Sequence, residues 1–442
     1  MIRAACLALA LGLLGLATGG SAARAEIDVV SVTSPGGIES WLYEDHTLPI
    51  LSIDASFLGG ATLDPEGRRG TAALLAALLD EGAGGLDSAA FATALEDLAA
   101  DIGFATSDDD VRLSATMLTD TREATTDLLR LALIEPRFDA EPVERLRAQT
   151  LASIRQKDAD PRTRAGAELY VQAFPGHPYG SPTSGSAESV AAITVADLGA
   201  VHGAALTRAR LRVAVVGDIT AEELRPLLDR IFGALPETGP ELPAIVEPHM
   251  SGETTVLDFD TPQSVVFFGN AGLLNDDPDI IPALVMNYVL AGGGLSTRLS
   301  EALRVKRGLT YGVYNWLASG EFGALYMGTF STSNAQAAEA IAVLRDEWAR
   351  MAEGGISEAE LASAKRYLTG EFPLRFNGTQ NIAAQLLGLQ LGGHDIGYVR
   401  ERRGLIEAVT VEDVARVARR LLLPEELTLV IAGRPEGVAP RN

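Results

Sequence analysis

The chain has 442 residues, of which 59 are acidic and 36 are basic, so its formal net charge is −23 at pH 7. A surface this acidic repels nucleic acid and anionic membranes, and it serves either solubility or the attraction of basic peptides. The length predicts two or more domains. The single cysteine, Cys6, excludes a disulfide framework, so the fold must depend on its hydrophobic core.

The first 25 residues have the pattern of a secretory signal peptide. Arg3 supplies a positive charge, an apolar run covers 7–17, and "ARA" at 23–25 offers small residues for cleavage after Ala25. No later run of the sequence reaches the roughly 18 apolar residues of a membrane span. We therefore expect a soluble protein exported to the periplasm, with its only cysteine removed together with the signal.

The first predicted elements are a strand over 50–60, a "TLDPEG" loop and a helix over 70–82. On a helical wheel, one side of that helix carries Leu74, Leu75, Leu78 and Leu79. The other side carries Ala73, Ala76 and Ala77, at the spacing i, i+3, i+4. A zinc peptidase uses that spacing to direct two ligands and a general base into one site. In this chain all three positions carry only a methyl group.

Over its whole length the sequence contains the same series of predicted strands and helices twice. A strand over 111–119 and helices over 122–133 and 140–156 complete the first series, and a proline-rich linker follows at 237–252. Residues 194–218 then align with residues 410–434: each segment has a Thr that can cap a helix, an apolar helix, a strand and a Gly.

The second half repeats the order of strand, loop and helix from residue 264 onward. Because the strands and helices do not alternate strictly, we predict an α+β fold: two homologous domains from a duplication, each a mixed or antiparallel sheet with packed helices. The predicted domains are 26–236 and 253–442, joined by the linker 237–252.

The usual hydrolytic sites are absent from the sequence. No two of the five histidines have metal-ligand spacing; they are His46, His177, His202, His249 and His394. A lone histidine is more often structural than catalytic, and His177, in "FPGHPYGSP", is expected to brace a loop. No serine lies in a "GxSxG" elbow, and no "GK[ST]" follows the glycine-rich "AGGGLST".

The strongest indication of a functional site lies in the segment "GGGLSTRLSEALRVKRGLTYGVYNWL" (292–317). It predicts a helix from about Thr297 to Lys306, a break at Gly308 and a strand from about Thr310. Arg304 and Tyr311 can then lie close across the turn, where a guanidinium and a phenol can donate hydrogen bonds to a carbonyl oxygen or an oxyanion. Spacing alone favours a structural role for both residues, with Arg304 as a cap of the helix carbonyls and Tyr311 as a ring packed on the sheet.

These motifs resemble those of the insulinase/pitrilysin family of zinc peptidases over nearly all of the chain after the signal. The most specific match is "GGGLSTRLSEALRVKRGLTYGVY", in which the family's chamber-lining Arg and Tyr correspond to Arg304 and Tyr311. The resemblance implies a fold like that of the mitochondrial processing peptidase. We also assign the turn of Gly292, Gly293 and Gly294 to substrate binding.

The zinc motif of that family, His-x-x-Glu-His, falls on Ala73, Ala76 and Ala77 in this sequence. The family's third ligand, a Glu on a later helix, falls near Leu151, Ala152 and Ser153, where Glu144 is the only acid. The resemblance therefore implies a chain that binds no zinc itself, because both histidines and the general base are missing.

Some family enzymes consist of two kinds of chain, one with the zinc motif and one with the Arg/Tyr pair. This sequence resembles the second kind. We therefore expect the non-zinc subunit of a heteromeric zinc endopeptidase, with zinc in the partner subunit and unfolded peptides as substrates. An inactive peptide-binding or assembly scaffold is the alternative, and catalysis by an unrelated site is a third.

Overall fold

A computed structural model describes residues 28–292 and 294–439 of the chain. The predicted signal peptide, residues 1–25, lies outside these described residues. Two large sheets organise the described chain, one from each half of the sequence, and helices pack against both. The predicted α+β class with two homologous domains is confirmed, whereas the boundaries 26–236, 237–252 and 253–442 stay a prediction.

Strands and helices follow one another without strict alternation in the first half of the chain. The strands are β1 (Val30–Thr33), β2 (Glu39–Glu44), β3 (Ile50–Leu58), β4 (Gly82–Ala83), β5 (Leu86–Asp87), β6 (Asp101–Thr106), β7 (Asp110–Leu118) and β8 (Leu211–Gly217). The helices are α1 (Thr71–Ala76), α2 (Ser88–Asp97), α3 (Arg122–Ile134), α4 (Ala140–Asp158), α5 (Pro161–Ala173), α6 (Ala187–Ala192), α7 (Val195–Ala205) and α8 (Ala221–Phe232).

The second half follows after residues 235–253, which contain neither helix nor strand. Its strands are β9 (Thr254–Asp258), β10 (Gln263–Ala271), β11 (Val313–Ser319), β12 (Ala324–Ser333) and β13 (Thr428–Gly433). Its helices are α9 (Ile280–Asn287), α10 (Ala337–Gly354), α11 (Glu358–Glu371), α12 (Thr379–Leu391), α13 (Tyr398–Ala408) and α14 (Val411–Leu421). Two wider, π-helical segments, Tyr288–Gly292 and Ser300–Val305, lie between α9 and β11.

The two sheets have matching topologies. The first has the order β1-β2-β8-β3-β7-β6, and the second has the order β11-β12-β10-β13-β9. Each is antiparallel except at one pair, β2 with β8 in the first sheet and β9 with β13 in the second. Both sheets are therefore mixed, as the sequence predicts.

The aligned segments of the two halves form equivalent structures. The side chains of Thr194 and Thr410 cap α7 and α14, accepting hydrogen bonds from the backbone N–H groups of Asp197 and Asp413 at 3.2 and 3.1 Å. Each Asp carboxylate in turn accepts from the backbone N–H of its Thr, so both caps are complete capping boxes. Each helix then leads to a central strand, β8 or β13, as predicted.

Each sheet buries one face in its own hydrophobic core. In the first half, alternate residues of β3, including Leu51, Ile53 and Phe57, face this core. The four leucines predicted for one side of the first helix pack there and are fully buried: Leu74, Leu75, Leu78 and Leu79. In the second half, the core surrounds the buried ring of Trp348.

The opposite face of each sheet is covered by a helix from the other half of the chain. Helix α5 packs on β10 and β13 of the second sheet, and α12 packs on β3 and β8 of the first. The two halves thus exchange equivalent helices, which joins them through buried apolar surface.

Three predicted elements differ from the structure. The first helix ends at Ala76 instead of continuing to 82, because the chain tightens into turns once Leu78 N–H bonds to the Leu75 carbonyl. The strand predicted from Thr310 begins at Val313, since the Thr310 hydroxyl instead closes a local turn with Gly312. The helix predicted from Thr297 to Lys306 is largely the π-helical segment Ser300–Val305. Within the described chain, every helix is too short or too polar to traverse a bilayer.

Candidate functional site

Arg304 and Tyr311 lie on either side of a tight turn at the edge of the second domain. Arg304 is in the last turn of the π-helical segment, and its carbonyl accepts a hydrogen bond from Gly308 N–H at 3.0 Å. Gly308 has φ +64°, a left-handed conformation that reverses the chain with little strain in glycine. The hydroxyl of Thr310 donates to the Ser331 carbonyl of β12 at 2.7 Å, which fixes the backbone next to Tyr311.

The structure brings the two side chains together. The guanidinium carbon of Arg304 lies 4.5 Å from the centroid of the Tyr311 ring, which is cation–π geometry. The Tyr311 residue is 85 % exposed, so its hydroxyl faces solvent. The pair can therefore present several hydrogen-bond donors to one external oxygen.

The segment that carries this pair exposes mainly apolar and basic side chains, although the chain as a whole is acidic. Between residues 294 and 314, four large apolar side chains are exposed: Leu295, Val305, Tyr311 and Tyr314. The exposed residues Lys306 and Arg307 lie in the same segment. Exposed apolar surface with a polar rim is typical of an interaction site.

The predicted glycine turn precedes this surface, and one of its three residues, Gly293, lies outside the described residues. A Cβ on Gly292 would lie 2.7 Å from Asn287 Nδ2 and 3.0 Å from the Asn287 carbonyl oxygen, so a larger residue there would require the Asn287 side chain to shift. Gly294 has φ +86° with no neighbouring atom near its Cβ position. These contacts explain the glycines structurally, and substrate binding by the turn stays a prediction.

The segment that aligns with the zinc motif is helical up to Ala76 and carries alanines in place of metal ligands. Ala73 is half-buried, Ala76 is buried, and Ala77, just after the end of α1, is exposed. The three alanines therefore differ in exposure, and Ala76 is enclosed where α1 ends. The Asp64 carboxylate accepts hydrogen bonds at 2.7 Å from the backbone N–H groups of Gly70 and Ala72, which holds the helix start in place. Burial raises the pKa of this carboxyl to about 6.

The helix expected to carry the third ligand offers no replacement. On α4, Leu151 is half-buried, Ala152 and Ser153 are exposed, and Glu144 pairs with Arg147 at 3.2 Å. Throughout residues 28–292 and 294–439, no three His, Cys, Asp or Glu side chains are grouped so that they could hold a metal ion.

Three histidines make local contacts. His177 Nδ1 accepts a hydrogen bond from Tyr179 N–H at 3.2 Å, and burial lowers the pKa of the imidazole. His202 Nε2 lies 2.8 Å from the Leu133 carbonyl oxygen, and His46 Nδ1 lies 2.7 Å from the Asp218 carboxylate. Each contact explains its histidine without a catalytic role.

Sequence reasoning missed two acidic residues that the fold places in unusual positions. Asp109 accepts hydrogen bonds from the Tyr179 hydroxyl and from Glu321 N–H, and so links the two domains. Asp54 lies buried in the middle of β3. An acid within the otherwise small and apolar run "ILSIDASFL" was the available signal for Asp54.

Comparison with known protein families agrees with this description. Residues 44–187 match the family profile of insulinase (peptidase family M16), and residues 192–368 match that of the peptidase M16 inactive domain. The uncharacterized zinc protease Rv2782c of Mycobacterium tuberculosis is 32 % identical over 307 residues, which are 67 % of this chain and 68 % of that protein. The chain belongs to the M16, or insulinase, family.

Two further similarities are to proteins named as a non-peptidase homolog and as a peptidase M16 inactive domain. The non-peptidase homolog YmxG of Helicobacter pylori is 29 % identical over 336 residues, which are 75 % of this chain and 77 % of that protein. The crystal structure of a peptidase M16 inactive domain from Pseudomonas fluorescens superimposes with a TM-score of 0.87 and 27 % identity, covering 94 % of this chain and all of that one. These similarities and the missing zinc motif support an inactive member of the M16 family.

Proposed function

We propose that the chain is the non-zinc subunit of a heteromeric zinc endopeptidase in the periplasm. In this proposal, a partner of the same family supplies zinc, general base and attacking water. This chain supplies Arg304 and Tyr311, which bind the peptide carbonyl and stabilise the oxyanion of the tetrahedral intermediate. The predicted signal peptide supports the periplasmic location.

The observation that carries the proposal is the arrangement of the Arg/Tyr pair in a chain that lacks the zinc motif. The ring of Tyr311 is exposed and lies within cation–π distance of the Arg304 guanidinium, and it contributes little to the core of its own domain. Exposed aromatic and arginine side chains are favoured in binding surfaces, whereas a folded monomer gains little from exposing them.

A catalytically inactive scaffold is the second candidate. The missing zinc ligands and the similarity to a protein named as a non-peptidase homolog favour it. The same apolar and basic surface around Tyr311 would then hold peptides or partner subunits without hydrolysis.

Reconstitution distinguishes the two candidates. The purified chain is mixed with an M16-family protein that carries His-x-x-Glu-His and comes from the same organism, and cleavage of an unstructured fluorogenic peptide is followed. The subunit proposal expects each protein alone to be inactive or nearly so, and the complex to cleave. A version of the partner with its motif glutamate changed to glutamine is the control for contaminating peptidase. A complex that is stable in gel filtration but no more active than the partner alone would instead support the scaffold.

A further inference from the structure

A cavity of about 280 Å³ lies between the first sheet and the exchanged helix α12. Six of the residues that line it are Asp54, Gly103, Arg112, Ser114, Leu387 and Gly388. Helix α12 is anchored to the sheet near both of its ends: the Ser52 hydroxyl donates to Thr379 Oγ1 at 3.1 Å, and Gln390 Nε2 donates to the Val213 carbonyl at 2.9 Å. The cavity is thus a cleft, open to solvent on one side, between two elements that are fixed to each other.

Asp54 is the acidic group of this cavity. The residue is only 7 % exposed, and its Oδ2 is buried with no hydrogen-bond partner among the described residues. The nearby guanidinium of Arg112 donates instead to Asp110 Oδ2, at 2.7 Å. A buried carboxylate oxygen without a hydrogen-bond donor destabilises the folded state. A ligand that supplies the missing donor is therefore bound unusually strongly.

The second half of the chain shows how the same position can be filled. Asp54 pairs across the sheet with Ala214 of β8, and Phe267 pairs with Val430 at the equivalent place in β13. The Phe267 ring packs against the exchanged helix α5, where a Cβ on Gly166 would lie 3.3 Å from it. The fold itself therefore does not require the acid or the cavity, because its second copy fills this space with an aromatic ring.

We propose that this cavity binds a primary ammonium group on a short aliphatic stem, with Asp54 as its counter-ion. The stem packs on Leu387 and Leu391 of α12, which line the cavity. The ammonium donates to the carboxylate that lacks a partner. The net charge of −23 raises the local concentration of such cations. The stem and head group are those of a lysine side chain or of a free alkylamine.

This site is separate from the proposed peptidase surface. Neighbouring residues of a strand point to opposite faces of the sheet, so Asp54 lies on the face opposite to Ile53, Ala55 and the core into which α1 packs. The Arg304–Tyr311 pair belongs to the second domain. The inference therefore goes beyond the proposed function, and either can fail without the other.

Isothermal titration calorimetry on the full chain at about pH 8, where alkylamines are protonated, tests the site. The probes are n-butylammonium and Nα-acetyl-lysine methylamide, each compared with a neutral analogue, 1-butanol or Nα-acetyl-norleucine methylamide. We expect an ammonium probe to bind, and Asp54→Asn to weaken it about 10- to 100-fold, the range for a hydrogen bond to a charged group. Binding of butylammonium alone identifies a free amine as the ligand class, and binding of the lysine derivative identifies a peptide side chain.

A second variant tests the location without touching the carboxylate. A Cβ on Gly388 meets no atom within 4 Å, so Gly388→Met extends into the cavity, whereas Gly388→Ala adds only one methyl group and serves as its control. We expect the Met variant to lose binding and the Ala variant to retain it. The proposal is overturned if neither ammonium probe binds the folded wild type, if the neutral analogues bind equally well, or if binding survives Asp54→Asn or Gly388→Met.

Discussion

The phenol oxygen of Tyr179 accepts a hydrogen bond from the backbone N–H of Phe322 at 3.1 Å, and so joins the first domain to the second. The same hydroxyl donates to Asp109 Oδ1, and Asp109 Oδ2 accepts from Glu321 N–H at 3.3 Å. Tyr179 and Asp109 together hold the turn between β11 and β12. These hydrogen bonds define the position of the two domains relative to each other more specifically than the apolar packing of the exchanged helices does.

Tyr179→Phe is therefore expected to lower the free energy of unfolding by about 1–3 kcal/mol, because it leaves Asp109 and Phe322 N–H without their shared partner in a largely buried site. Urea denaturation measures the change, and hydrogen exchange of the β11–β12 turn should quicken. Tyr170→Phe is the matched control, since Tyr170 lies nearby and packs against Phe174. Equal stability losses in both variants would show that ring packing, and not this bond, matters.

The sequence predicts the repeated elements well, because local patterns specify them. Thr194 and Thr410 are capping residues in the sequence and in the structure, and the leucines of the first helix are buried as their spacing requires. These signals need only neighbouring residues. The fold class follows from the order of such elements.

The exchange of α5 and α12 could not be predicted from periodicity. A helix pattern shows that an apolar face exists, but it does not show which sheet that face covers. For the same reason the contact between Tyr179 and Phe322 was missed, since 143 residues separate the partners. Arg304 and Tyr311 were predicted to be close because a seven-residue turn leaves few other arrangements.

The stability of the protein should fall as pH rises through the titration of Asp54. Burial raises the pKa of this carboxyl to about 6, above its ordinary value. Below about pH 4 it is protonated in both the folded and unfolded states. Above about pH 6 the folded state must hold a buried charge, which costs up to about 3 kcal/mol.

Asp54→Asn removes that charge, so it should stabilise the protein relative to wild type by about 1–3 kcal/mol more at about pH 8 than at about pH 4.5. Urea denaturation of both proteins at the two pH values measures the difference. Asp346→Asn, at an exposed position of α10, is the control and should show a far smaller pH-dependent difference. A difference for Asp54→Asn that did not change with pH would contradict the prediction.

The purified chain should hold well below one zinc per molecule after dialysis. The positions of the family motif are alanines, and zinc binding to protein needs three or four N, S or O ligands. A chelator should accordingly leave the melting temperature unchanged, because no bound metal contributes to folding. A zinc-bearing M16-family protein treated in parallel is the control. About one zinc per chain by elemental analysis, or a lower melting temperature with chelator, would show an unrecognised metal site.

Tyr311→Phe should lower kcat of the reconstituted enzyme about 10²- to 10³-fold with a smaller effect on KM, if the hydroxyl donates to the oxyanion only in the transition state. Arg304→Ala should change both constants, because it removes a donor and a positive charge that also act on bound substrate.

Both variants should have a free energy of unfolding within about 1 kcal/mol of the wild-type value, since an exposed cation–π contact contributes about 0.5–1 kcal/mol. Tyr314→Phe, at another exposed tyrosine three residues away, is the control for general effects on the surface. Peptide-cleavage kinetics, measured on complexes verified by gel filtration, test the role of the pair. Full activity of both Tyr311→Phe and Arg304→Ala in intact complexes would show that the pair is structural and would favour the scaffold as the function of the chain.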